Sequence, residues 1–230
     1  NKEDMNNMKR QLFILTLAIC SICASYAQEF KIGMHIGANM SNFSKGDTYR
    51  INDNKYKVGA EIGADIFYTT KNKFTITFGI GLLTGGGKFS VMSDYYSGEG
   101  QSTEFKEVNT KPLYIQVPIT VGYNISIGSR ITINPNLGLY GRYAVGSFKE
   151  NVELAYSKEK EKWNCFDNYN NGAHHIDAFK RFDYGITANV SVVLDKHYCM
   201  SFGYKYGLAK LSPQYGLKEK NLSLNIGYIW

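Results

Sequence analysis

Six charged residues, Lys31, Glu61, Asp65, Arg142, Asp183 and Lys205, together with His35, share one pattern: each lies in a stretch where apolar residues alternate with Gly, Ser, Thr, Asn or charge. All seven fall on the non-apolar side of that alternation. Charges of both signs on one face suit either a proton or ion relay or a set of ion pairs that cancel one another. With His35 neutral, the set holds three positive and three negative groups. Arg142, Asp183 and Lys205 lie on three successive segments at similar depth, so they are expected to touch. A mutually compensating network is the favoured reading, because an unpaired charge in a narrow interior is costly. The ion or proton path is the alternative.

Other candidates for chemistry are weaker. Gly85-Gly-Gly-Lys88 looks like a phosphate cradle but lacks the Walker spacing and a following helix, so a flexible strand exit is expected. His174, His175, Asp177 and Cys165 offer good metal ligands, but at no standard spacing. No Gly-x-Ser-x-Gly elbow is present. No catalytic residue, cofactor or metal is therefore expected, and the chain reads as a non-enzyme. Lys158 to Lys162 alternates in charge as a solvated loop does. Beside it, Trp163, Phe166 and Tyr169 with Asn164, Asn168, Asn170 and Asn171 either contact a glycan or protein partner or pack on their own hairpin.

The elements that must position the charged set are extended strands. In the last ten residues Leu222, Leu224, Ile226, Tyr228 and Trp230 share one face while Ser223, Asn225 and Gly227 share the other, the period of two that a strand imposes. Seven further segments repeat it, beginning near Phe30, Val58, Phe74, Leu113, Ile131, Phe182 and Tyr198. Segments of about ten alternating residues have the length and patterning of transmembrane β-strands. Pro118 and Pro135 are misfits, each implying a bulge or a strand end.

The connections alternate in length. Residues 70–73, 126–130 and 195–197 are tight turns, whereas residues 44–55, 89–111, 149–178 and 209–220 are long, polar and charged. Outer-membrane barrels have this asymmetry, with short periplasmic turns and long extracellular loops. Tyr68, Phe74, Tyr123, Tyr198, Tyr228 and Trp230 would then form an aromatic girdle at the periplasmic rim. The fold expected is an all-β, eight-stranded antiparallel transmembrane barrel. Ten strands are the alternative, if residues 89–111 or 149–178 hold an extra hairpin. A soluble lipocalin-like barrel is a further alternative that reverses the faces, apolar side inward.

Composition agrees. The 230 residues include 18 Tyr, 13 Phe and 23 Gly but 4 Pro, and no apolar run is long enough for a membrane helix. Lys9 and Arg10, the apolar stretch from Leu12 to Ile22, and Ser25-Tyr26-Ala27 read as a signal peptide ending at Ala27. Translation is expected to start at Met5 or Met8, with the barrel in residues 28–230. Cys20 and Cys23 each follow Ile, so lipidation is not expected. Removing the segment's three basic and two acidic residues leaves 23 basic and 18 acidic, a spread-out net +5 that does not suit nucleic acid. Cys165 and Cys199 then lie at opposite ends of the barrel, and no disulfide is expected.

Four stretches carry a family resemblance: Tyr114-Ile-Gln-Val-Pro-Ile119, Arg181-Phe-Asp-Tyr-Gly-Ile186, Phe202-Gly-Tyr-Lys-Tyr-Gly-Leu208 and the closing Gly227-Tyr-Ile-Trp230. With the opening Lys31-Ile-Gly-Met-His-Ile-Gly-Ala-Asn39, they resemble the small outer-membrane β-barrel proteins, PorT-like or porin-family, of the Bacteroidetes group. The resemblance implies a barrel in the bacterial outer membrane, and, for relatives of PorT itself, a part in assembling a protein secretion machinery. The expected function is a monomeric structural or interaction protein with a filled polar lumen and surface loops. A narrow porin for ions or small solutes and a secretion-assembly factor are the alternatives. Expected partners are membrane lipid, the outer-membrane insertion machinery reading Tyr228 and Trp230, and a protein or glycan at the loops.

Overall fold

A computed structural model describes residues 29–44, 51–97, 100–148, 151–154, 160–170 and 175–230. Residues 1–27, read above as a signal peptide, lie outside the described residues. Eight long strands dominate: β1 (Glu29–Phe43), β2 (Lys57–Thr69), β3 (Phe74–Thr84), β4 (Pro112–Tyr123), β5 (Ile131–Ser147), β6 (Phe182–Leu194), β7 (Tyr198–Gly207) and β8 (Glu219–Ile229). Each pairs antiparallel with its neighbours in sequence. β8 returns to pair with β1 from Gly33↔Ile229 to Phe43↔Glu219, and the up-and-down barrel is closed. Closure is what lets strands cross lipid, because no backbone edge is left without a partner.

The alternation sorts side chains as the membrane requires. Leu139 and Ile226 are more than 60% exposed on the outside, while Arg142 and Thr187 are 2% and 1% exposed on the inside. The apolar face points outward, which removes the lipocalin-like alternative. Ring pairs Phe30–Tyr68, Phe74–Tyr123 and Tyr228–Trp230, with centroids 5.1, 5.2 and 5.1 Å apart, mark the rim near the short turns. Of these turns, 195–197 places Asp195 and Lys196 at φ 49° and 65°, left-handed values that bend the chain sharply.

Neither misfit proline shifts the register. Pro118 removes rungs between Phe78↔Ile119 and Gly81↔Gln116, and a side chain at Gly79 would meet the proline ring at 2.9 Å. Glycine at 79 makes room for it. At Pro135 the β4 strand pauses at Asn124 and resumes as Ile125–Ile127 in unchanged register.

The long connections build a second structure above the barrel. Strands Lys160–Lys162, Asn151–Leu154, Gly100–Thr110, Gly87–Ser97 and Ile51–Lys55 lie side by side in that order in a separate five-stranded sheet. The hairpin proposed within 89–111 therefore exists, but β3 pairs directly with β4, and the barrel keeps eight strands rather than ten. β1 and β5, at 15 and 17 residues, exceed what a membrane crossing needs and carry the barrel wall up toward this cap. Phe43, Phe89, Val108, Val152, Trp163 and Phe179 lead its buried core.

Trp163 and Tyr169 belong to that core, so of the two readings offered for these rings the packing one holds. Phe166 packs beside it, under the Arg181 guanidinium at 4.4 Å. Phe89 is fully buried against Phe43, Phe179 and Tyr215. Phe89→Ala should cost the cap about 3–5 kcal/mol. Limited proteolysis is expected to cut the cap of that variant while the barrel still migrates as a folded species in unheated electrophoresis. An unfolded barrel would contradict the cap's independence.

Candidate functional site: the lumen

The inward residues form two polar layers, one above the other. In the upper layer Arg142 on β5 is held from two sides. Its Nε donates to Asp183 Oδ2 at 2.8 Å, and its Nη1 donates to Glu219 Oε1 at 3.1 Å. The guanidinium lies 4.3 Å from the Tyr114 ring centroid and 5.4 Å from that of Tyr140. Tyr140 donates its hydroxyl to Asp183 at 3.1 Å, and Tyr114 to Glu219 at 3.3 Å. The side chains of Arg142, Asp183 and Glu219 are 0–1% exposed. Such a layer stays folded because each charge has a charged partner and each hydroxyl an acceptor. Gly85 lets β3 approach it, since a Cβ there would meet Glu219 Oε1 at 2.5 Å.

Lys205 does not join this layer. Its Nζ donates to both Glu61 oxygens, at 2.8 and 3.0 Å. The strand register explains why. Asp183 stands opposite Arg142, but Lys205 stands opposite Thr187, four residues deeper, or roughly 13 Å along the strand at 3.3 Å per residue. The expected contact of Lys205 with Asp183 is thus replaced by a pair across the lumen. Beside it His35 Nδ1 lies 2.8 Å from Asp65 Oδ2, and Gln116 reaches Glu61 at 3.5 Å. Lys31 lines the space below.

Glu219 was missed in the sequence because it sits where the last long loop was drawn. It shares the parity of Asn221, Ser223 and Asn225, and extending the final strand by one inward step would have found it.

Below the upper layer lies a cavity of about 350 Å3. Its walls reach from Lys205, Glu61 and Gln116 down to Lys73 and Lys196 at the short-turn end, and none of the five upper-layer residues lines it. One wall is a chain of amides: Asn189 donates to Asn136 at 2.9 Å, Asn136 to Asn134 at 3.1 Å, Asn134 to Asn124 at 2.7 Å and Asn124 to Thr75 at 2.8 Å.

Of the loop metal candidates, His174 lies outside the described residues. Cys165 is buried in the cap core, and the Asp177 backbone N–H donates to Gln214 at 3.2 Å. Neither Cys165 nor Cys199 forms a disulfide among the described residues.

The resembling motifs acquire a structural meaning. Their inward residues, Tyr114, Gln116, Asp183 and Lys205, are members of the two layers. They specify how the barrel interior is filled.

Among solved structures, the chain is similar to the outer membrane protein OprG from Pseudomonas aeruginosa, with 11% identity over 89% of this chain and 97% of that one and a TM-score of 0.48. It is also similar to Neisserial surface protein A, with 11% identity, 86% and 96% coverage and a TM-score of 0.43. For Ail, the attachment invasion locus protein of Yersinia pestis, solved with the heparin analogue sucrose octasulfate, the values are 13%, 88%, 100% and 0.39. A comparison with curated proteins finds no match. Residues 26–212 match the family described as outer membrane protein beta-barrel domain. With a closed barrel whose apolar face points outward, and a family match over most of its length, the chain belongs to the outer membrane protein beta-barrel domain family and resides in the bacterial outer membrane.

Proposed function

We propose that this protein is a monomeric, non-enzymatic and non-conducting outer-membrane barrel, which holds a folded cap at the cell surface on a plugged stem. One observation carries this reading: the Arg142, Asp183 and Glu219 layer, with Tyr114 and Tyr140 beside it, is buried from both sides. A hydrated ion passing that level would have to break ion pairs already stripped of water, which is strongly unfavourable in a narrow low-dielectric interior. The cap core supports the reading further, since Phe43 and Phe179 cover the same end.

Planar-bilayer recording is the test. Purified protein is expected to give no steady open-channel steps, and reproducible steps would overturn the plug. The surface role belongs to the cap, whose core fixes its shape independently of any pore.

A further inference from the structure

We propose that the lumen is a periplasm-facing binding cavity for a small hydroxyl-rich anion, an acidic monosaccharide of the uronate class. The proposal rests on the plugged-stem reading, because a blind tube can only be loaded from the end that stays open.

The position of the cavity gives the direction of entry. It ends under the Arg142 layer and reaches down to Lys73 and Lys196, two exposed lysines in the short turns. In an outer-membrane barrel those turns face the periplasm.

The lining gives the chemistry of the occupant. Four lysines, Lys31, Lys73, Lys196 and Lys205, face two carboxylates, Glu61 and Asp65, so the lining carries an excess of positive charge. Both carboxylates are engaged, by Lys205 and by His35, while the two turn lysines stand at the mouth. An anionic group is favoured there. Deeper in, the amide chain from Asn189 to Asn124 offers donors and acceptors in a row along one wall. Hydroxyl groups match such a wall, because they both donate and accept without adding charge beside Lys205. Phe67 adds an aromatic face within the cavity, lying against Gly33, where a Cβ would meet its ring at 3.0 Å. At about 350 Å3 the space is at the small end of ligand pockets, which run from roughly 300 to 1,000 Å3, and it suits a single sugar ring with its water. The occupant therefore points its hydroxyls inward and its carboxylate at the lysines.

The thiol of Cys199 is a built-in reporter, because it lines the cavity whereas Cys165 is buried in the cap. Wild-type protein is treated with a small anionic methanethiosulfonate, and modification is read by peptide mass mapping. Cys199 is expected to react in cells whose outer membrane has been permeabilised and to stay unmodified when a membrane-impermeant reagent is added outside intact cells.

Glucuronate at about ten times its Kd should slow the reaction roughly tenfold and saturably. Asn136→Ala should remove that protection while leaving the heat-modifiable migration of the folded barrel. Labelling from outside intact cells, no saturable protection by glucuronate, or equal protection by acetate would each overturn the proposal, the last by showing charge attraction without hydroxyl recognition. Bilayer recording separates the two failures: steady steps defeat the plug, whereas silent bilayers with an unprotected thiol defeat the cavity alone.

Discussion

Replacing Arg142 by alanine is expected to destabilise the barrel by about 3–5 kcal/mol, because the change leaves the Asp183 and Glu219 carboxylates facing each other in a dry layer with no cation between them. The guanidinium also fills the space between two tyrosine rings, so the loss includes packing as well as charge. Arg142→Lys should recover part of the loss, since an ammonium cannot reproduce the separate bonds from Nε and Nη1 to two carboxylates. The triple change Arg142→Met, Asp183→Asn, Glu219→Gln should recover more, because it removes the buried charges altogether. Urea unfolding in lipid vesicles, followed by electrophoretic mobility without heating, measures all three. Wild-type stability in the alanine variant would show that the layer is not what holds the upper barrel.

Deleting residues 228–230 should abolish assembly into the outer membrane. These three residues close the barrel at its periplasmic end. The β8–β1 ladder loses Met34↔Tyr228 and Gly33↔Ile229. Ile229 N–H donates to His197 C=O and Trp230 N–H to Ile32 C=O, both at 2.8 Å, so the truncation frees two backbone acceptors. It also removes the ring that stacks on His197 at 5.4 Å and packs edge-on against Tyr198 at 5.6 Å. The double substitution Tyr228→Ala, Trp230→Ala keeps the backbone bonds and isolates the aromatic contribution. Surface abundance is the readout, and normal levels of the truncated chain would refute the role given to this terminus.

The face of each strand was legible in the sequence, because a period of two is a local property that neighbours along the chain reveal. Lys31, Glu61, Asp65, Arg142, Asp183 and Lys205 therefore sit on the inward side, as their parity requires. The short turns were legible for the same reason. The pairing of Lys205 was not, since two residues on adjacent strands meet only if the register puts them at one depth. Glu61 became its partner from across the lumen, three strands away, and nothing local encodes that distance. Glu219 was within reach of the pattern but lay past the point where polar residues blur the strand into a loop.

The cap was the least legible part. Phe89, Val108, Val152 and Trp163 come from two separate connections and acquire a common core only when the barrel brings those connections together over one mouth. By itself the sequence determined the outward and inward faces, the turn asymmetry and the closing strand, all consequences of side-chain alternation and chain reversal. Only the tertiary structure decided which charges pair, where the lumen is sealed and what the loops build, because strand register, barrel closure and contacts between distant segments set those, and they are properties of the whole barrel.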